Sequence, residues 1–453
     1  MTQPAGRSRR WPLGILPEFA RDPLGAVGGA FRQGGDCALL PGLFGQPVYL
    51  LNDPELIHTA LVAQASRLVK PAPLKWIFRS SFGNGLFFSE ARFWRRQRKL
   101  AQPAFQHQRI PSYAEAMVRR AQQLLATWQD GEIRDMRKDL SATALQIVVD
   151  ALFHSTVEGE TAQIYAALDE LGAILAQQSM ANPALALVPD WAPLPLMRRK
   201  RRASATLDAI VYRFIREQRR SGLGQGSLLA MLMLAEDEDG QGMSDRQLHD
   251  EVMTIFIAGH ETSALTLTWA LALLAQHPGA AAKLHAELDA ALAGRAPTLA
   301  DLPGLPYTKQ VIKETLRLYP PAWLLLRQAI GELRLGPHRI PKGAQIWVCP
   351  YTMQRHPRFY AQPEAFQPER FAADAAGQDL EARLPKCAYL PFGAGPRICI
   401  GNMFALTEMQ LVLATIAQQY RVEVLPEAPI ALRAGPTLGF AAGAPMRVVR
   451  RAS

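Results

Sequence analysis

A mainly helical fold is what the sequence predicts, on three observations. Residues Pro111 to Arg220 read as successive amphipathic helices, divided near Gly131, near Gly159 and across Pro183 to Pro195. The run Val252 to Gln276 is apolar on nearly every side, and Ser244 with Gln247 forms a capping box ahead of it, so a long buried helix is expected there. Shorter helical patterns cover Glu90 to Ala101, Thr308 to Tyr319 before the Pro320-Pro321 stop, and Met403 to Tyr420. Strand signals are sparse. The clearest is Pro47 to Leu51, which leads into a turn at Asp53-Pro54 and a short helix.

Taken in order, residues 1–45 form an irregular lead with prolines at Pro4, Pro12, Pro17 and Pro23. Arg7 to Arg10 precede a stretch too short and too broken for a signal segment or membrane anchor, so a cytoplasmic protein is expected. Val69 to Ser89 reads as a loop rich in glycine, proline and aromatic residues, a source of core packing or of a pocket lid. Glu236 to Asp239, with Gly240 and Gly242, make a polar loop before the buried helix. That helix is long enough to raise the question of a membrane span. It holds His260 and Glu261, however, and no second such run occurs, so it is read as crossing the core of a large protein. No repeat, low-complexity tract or linker divides the chain, and one large domain over 1–453 is expected.

Composition narrows the classes. With 49% hydrophobic and 20% charged residues, the 453-residue chain has the make-up of a globular protein with a large core. The four cysteines, Cys37, Cys349, Cys387 and Cys399, have no CxxC spacing, so neither a disulfide framework nor a zinc site is expected. Net charge is +10, with clusters at Arg7 to Arg10, Arg92 to Lys99 and Arg198 to Arg202. No aromatic-interleaved basic motif accompanies them, which argues against nucleic acid and leaves an acidic protein partner or a solvated face.

Phe392 to Gly401, read as Phe-Gly-Ala-Gly-Pro-Arg-Ile-Cys-Ile-Gly, concentrates the chemistry. Gly393 and Gly395 permit a sharp turn and close approach to a flat ligand. Gly401 and Asn402 open the following helix, so its free N–H groups and positive end face Cys399 and favour a thiolate. A thiolate in an apolar loop needs a cationic partner. Haem iron held by one axial cysteine is a protein solution to that need, and Arg397 then pairs with a haem carboxylate. The plain alternative is a buried structural cysteine on a glycine turn. Within the buried helix, Ala258-Gly259-His260-Glu261-Thr262 sets an acid beside an alcohol where polar groups need partners. Thr262 bonding back to a carbonyl of its own helix is the plain reading. Trp94 and Arg98 stand at i and i+4, and Glu314 and Arg317 at i and i+3, so each pair shares a helix face.

The cysteine stretch resembles the haem-binding signature of the cytochrome P450 superfamily, Phe-Gly-x-Gly-x-Arg-x-Cys-x-Gly, without departure. Three further stretches resemble motifs of that family in its order: Trp94-x-x-x-Arg98, Ala258 to Thr262, and Glu314-x-x-Arg317 with Arg370. The resemblance implies the P450 fold, mainly α with a smaller β region, enclosing haem b (iron protoporphyrin IX) between the central helix and the cysteine loop. Cys399 would be the iron ligand, with Phe392, Gly393, Gly401 and Ala258 against the cofactor. Trp94, Arg98, Arg397 and Arg327 would bind its propionates, and Gly259 would let the central helix approach the ring. Thr262 would hold dioxygen and Glu261 relay protons. Glu314, Arg317 and Arg370 would form a buried structural network.

The implied activity is a monooxygenase that inserts one atom of O2 into a hydrophobic substrate, probed against two alternatives: a haem-thiolate isomerase or dehydratase, and a non-catalytic haem protein. Only about fifty residues follow Cys399, too few for a flavin or iron–sulfur module, so NAD(P)H-derived electrons are expected through a ferredoxin or flavodoxin with its reductase. Arg95, Arg96 and Lys99 suit such an acidic donor, or else a solvated face. A monomer is expected. The resemblance places Trp76, Phe87, Ile257, Trp323, Leu324, Leu325 and Phe440 above the haem, all uncharged, which favours a long neutral carotenoid or other terpenoid. The stretch Leu318 to Arg327 resembles that of a bacterial branch with carotenoid ring hydroxylases and shows some likeness to fatty-acid hydroxylases. A fatty acid is the second expectation, its carboxylate met by Lys75 or Arg79.

Overall fold

The computed structural model describes residues 14–42, 45–153, 158–178, 185, 188–220 and 227–451. The Arg7 to Arg10 cluster and the first part of the Pro183 to Pro195 break, 183–184 and 186–187, lie outside the described residues. The centre of the molecule is the helix Asp245–Gln276, which begins at the expected capping box: Gln247 N–H donates to the Ser244 hydroxyl at 3.3 Å, and Ser244 N–H to the Gln247 side chain at 2.8 Å. No helix among the described residues is long and apolar enough to cross a membrane. Met136–Phe153, Glu158–Ala176 and Pro195–Arg220 pack around its first half. Ile110–Leu125, Pro306–Leu318 and Asn402–Gln419 pack with its second half. The two halves thus sit in two apolar clusters, and buried transfer from water is the main force holding each.

Strands are fewer. The largest sheet has five, in the order Cys37–Pro41, Pro47–Leu51, Gln345–Val348, Leu325–Ala329 and Leu68–Val69. Only the pairing of Pro47–Leu51 with Gln345–Val348 is parallel. A small hairpin, Leu432–Ala434 with Leu438–Phe440, lies nearer the central helix.

Two expectations change. The described part of the lead before residue 45 is not irregular: it holds the helices Leu16–Arg21 and Pro23–Gln33 and the strand Cys37–Pro41, with Pro17 and Pro23 in first turns, where proline is tolerated. Ala72–Phe82 is a helix, not part of a loop. Proline is tolerated in its first turn, its apolar side chains Leu74, Ile77, Phe78 and Phe82 recur at helical spacing, and Gly83 ends it with φ of 70°. The segment after it is pinned to the central helix: Asn84 N–H donates to Asp250 at 2.8 Å and Leu86 N–H to Glu251 at 3.0 Å. A Cβ at Gly85 would meet the Asp250 carbonyl oxygen at 2.2 Å, so the close approach requires glycine there.

Candidate active site

The cysteine loop is built by backbone geometry. Gly393 and Gly395 adopt φ of 74° and 72°, and a Cβ on Gly395 would lie 2.1 Å from the Leu61 carbonyl oxygen. Cys399 N–H donates to the Phe392 carbonyl at 2.9 Å, which closes the turn, and Gly401 caps Asn402–Gln419 without a side-chain bond. Cys399 is exposed, yet burial pushes its thiol above the usual range. The residue is thus accessible yet poorly solvated. The Gly401 N–H and Arg98 pull the other way, as the sequence reading expects, but burial is the larger effect; the helix end alone does not make a thiolate.

Beside this loop the chain gathers more positive than negative charge. The Arg397 guanidinium lies over the Trp94 ring, 4.4 Å from its centroid, and donates to the Ser89 carbonyl at 2.8 Å and to Glu90. Arg98 donates to the Ile398 carbonyl at 2.8 Å. Arg327 donates to the Leu326 carbonyl at 2.9 Å, while burial and the nearby Arg397 push its guanidinium down to about 10. Lys70, which sequence reasoning missed, is buried with its ammonium on the Phe87 carbonyl and 3.8 Å from the Phe87 ring centroid. Burial first, then Arg327 and Arg397, holds that ammonium well below the usual lysine range. Three enclosed cations therefore share one carboxylate, Glu90, and buried charge of that kind calls for a further anion. The arrangement fits a planar cofactor carrying a cation for Cys399 and carboxylates for Arg327, Arg397 and Lys70.

On the central helix, Ala258 is exposed and Glu261 and Thr262 are half-buried, although the flanking turns are buried. Thr262 donates to the Ala258 carbonyl at 2.7 Å, the plain reading, which leaves its oxygen lone pairs free to accept. Glu261 accepts from Thr437 at 3.2 Å. Gly259 serves packing: a Cβ there would meet Val148 at 2.9 Å, so glycine lets the helix lie close against Met136–Phe153.

Other expected residues scatter. Ile257 is half-buried, Leu325 lies 3.9 Å from where a Gly393 Cβ would stand, and Phe87 and Trp76 are exposed. Trp323 and Phe440 are corrections, since both are core side chains. Trp323 is 2% exposed, stacked on Phe19 with its indole N–H on the Gly435 carbonyl at 2.8 Å; Phe440 is 8% exposed and stacked on Trp269. Leu324 packs against the same cluster as Trp323. The basic helix Ala91–Ala101 also differs from expectation: Arg96 pairs with Asp237 at 2.5 Å and Lys99 with Glu238, so the acidic loop already neutralises two of its cations. Arg95 lines an open surface cleft with Arg98, Gln102, Pro396 and Ile398, on the outer side of the cysteine loop.

Glu408 is a second buried acid the sequence reading missed. It lies on Asn402–Gln419, is fully buried, and accepts from Ser263, the residue after Thr262, at 2.6 Å. Its other oxygen has no partner, and burial pushes its carboxyl up to about 8. It is therefore neutral in the fold at pH 7. An unfolded glutamate ionises near 4.5, so the stability this neutral form contributes is complete below that pH and is lost as pH rises to about 8, at up to about 1.4 kcal/mol per pH unit. Glu408→Gln keeps a hydrogen-bonding group and removes the titration. Its melting temperature should gain on that of the parent between pH 5 and pH 8; parallel melting curves across that range would show that Glu408 is not held neutral.

Comparison with known proteins identifies the family. The sequence profile of the Cytochrome P450 family matches residues 4–444. Pentalenene oxygenase of Streptomyces avermitilis is 37% identical over 358 residues, 78% of each chain. Cyclooctat-9-en-7-ol 5-monooxygenase of Streptomyces melanosporofaciens is 36% identical over 383 residues, 83% of this chain and 81% of that one. Among solved structures, the cytochrome P450DA heme domain superposes with a TM-score of 0.84 at 25% identity, covering 100% of this chain and 99% of the other. With its mainly helical architecture and cysteine loop, this chain belongs to the cytochrome P450 family. It is a P450 monooxygenase, an oxidoreductase of the haem-iron class.

Proposed function

We propose that this chain is a single haem-domain monooxygenase of the cytoplasm, acting on a neutral terpenoid with NAD(P)H-derived electrons delivered by a separate ferredoxin or flavodoxin. The observation that carries the reaction class is the accessible Cys399 beside enclosed cations that share a single carboxylate, together with an acid and an alcohol at successive positions of one helix turn. Bound haem with a thiolate ligand supplies the redox chemistry of oxygen activation. The protein's own share is to hold the cofactor and move protons. Trp94, Arg98, Arg327, Arg397 and Lys70 would hold its carboxylates, and Cys399 as thiolate would hold its iron. Thr262 has a hydroxyl free to accept, and Glu261 a carboxylate able to carry a proton from outside. The surface cleft beside Arg95 and Arg98 is the docking place for the electron donor, because it lies against the cysteine loop.

The substrate class rests on Ile257 and Leu325, apolar side chains that carry no charge. Terpenoid-oxidising relatives point the same way. Lys75 and Arg79 on Ala72–Phe82 keep a fatty acid as the second reading, since they could meet its carboxylate at the pocket mouth. Spectral titration of the ferric protein separates the two. Neutral terpenoids such as pentalenene should displace the haem spin state at micromolar concentration, and fatty acids only weakly. Shifts with fatty acids that vanish in Lys75→Ala or Arg79→Ala, and none with terpenoids, would overturn the substrate and leave the monooxygenase standing.

A further inference from the structure

The small hairpin runs along one stripe of the central helix. Glu261, Leu265 and Trp269 follow at four-residue steps and so share a face. Against them stand Thr437, whose hydroxyl donates to Glu261 Oε1 at 3.2 Å; Gly439, where a Cβ would lie 3.2 Å from Leu265; and Phe440, whose ring stacks on Trp269 with centroids 4.4 Å apart. From behind, Leu438 N–H donates to the Pro321 carbonyl at 3.0 Å and the Trp323 indole to Gly435 at 2.8 Å. The place of Thr437 is thus fixed by packing on both sides, not by its own bond. Among the described residues it is the one hydrogen-bond partner of the Glu261 carboxylate. His260, next in sequence, is committed through Nδ1 to the Phe256 carbonyl at 2.5 Å. Thr437 is half-buried and follows the exposed Pro436, so it lies near the surface beside the acid.

We propose that Thr437 is the positioning residue of Glu261 and the point at which solvent protons reach it, an inference that rests on reading Glu261 as the proton relay. In the step, the Thr437 O–H bond breaks as its proton bonds to Glu261 Oε1, and Oγ1 takes a proton from a solvent oxonium ion. One proton crosses, the hydroxyl is regenerated, and no electrons move. A hydroxyl does this in either direction because it both donates and accepts. Its removal leaves the carboxylate without a partner and without a supply.

The test uses the holoenzyme without substrate, reduced by NADPH through a plant-type ferredoxin and its reductase. Thr437→Val, Thr437→Ser, Glu261→Gln and the Thr437→Val/Glu261→Gln double variant are compared for oxidase turnover in H2O and D2O. Infrared difference spectra against Glu261→Gln isolate the carboxylate band of the resting protein. Thr437→Val should slow turnover severalfold, enlarge the solvent isotope effect and shift the band; serine should restore all three. The double variant should match Glu261→Gln alone, since a residue acting through another adds nothing once that other is gone. If Glu261→Gln slows turnover while Thr437→Val matches the parent, or if the two effects add, the Thr437 proposal falls and the relay stands. If Glu261→Gln itself changes nothing, the relay reading falls and this inference with it. Should the valine variant fail to hold haem, Thr437→Ala carries the same comparison.

Discussion

Cys399→Ser yields a folded chain that no longer shows the red-shifted carbon monoxide band of a thiolate-bound haem, and turnover at background. The expectation follows from what the side chain does and does not contribute to the fold. The turn is closed by the Cys399 backbone N–H on the Phe392 carbonyl and by two glycines at positive φ, all of which serine keeps. Cys399 is exposed, so little packing is lost when oxygen replaces its sulfur. The chemistry, by contrast, depends on that atom. Burial holds the thiol protonated until a cation displaces the proton, and a hydroxyl, far less acidic, has no comparable anion to offer iron. A serine variant with the red-shifted band and undiminished turnover would remove Cys399 from the site.

How far the site was legible depends on sequence distance. The cysteine loop, the Ala258 to Thr262 turn and the i,i+4 pair of Trp94 and Arg98 are local patterns, where spacing alone sets which side chains meet. Lys70, Glu90, Glu408 and Thr437 carry no such pattern. Glu90 meets Arg397 across 307 residues and Glu408 meets Ser263 across 145, so only the assembled fold reveals them. The pairing of Arg96 with Asp237, 141 residues away, likewise turned an exposed-looking charge into an internal one. Errors arose where an apolar residue fits two environments equally. Trp323 and Phe440 suit a pocket or a core by composition, and the hairpin's register against the central helix decided for the core. Gly259 permits a close approach, and the neighbour that uses it in the fold is Val148.

Glu314→Ala is expected to remove most holoprotein, with the fraction that survives turning over near the parent rate. Glu314 and Arg317 are both 0% exposed, and the carboxylate accepts from Arg317 Nε at 2.7 Å and Nη2 at 2.8 Å, from Arg370 Nε at 3.3 Å and from Gln367 N–H at 2.9 Å. The remaining acceptors of Arg317 are neutral carbonyls, of Gln354, Pro363 and Ala365. One anion therefore balances two enclosed guanidiniums, and its removal costs about 3–5 kcal/mol because the charges stay buried. That is a large part of the roughly 5–15 kcal/mol by which a domain is stable. The damage runs toward the cofactor. Gln354 donates to the Leu316 and Arg317 carbonyls and accepts from Leu390 N–H at 2.9 Å, and Gly393 N–H donates back to the Leu390 carbonyl at 3.0 Å. Loosening Arg317 thus loosens the ledge from which the cysteine loop starts, so haem should be lost before the helices melt. Holoprotein yield, from the haem absorbance of purified protein, and turnover per haem measure the two effects separately. An undiminished yield would show that the network does not carry the loop, and a normal yield with lost turnover would make Glu314 part of the chemistry.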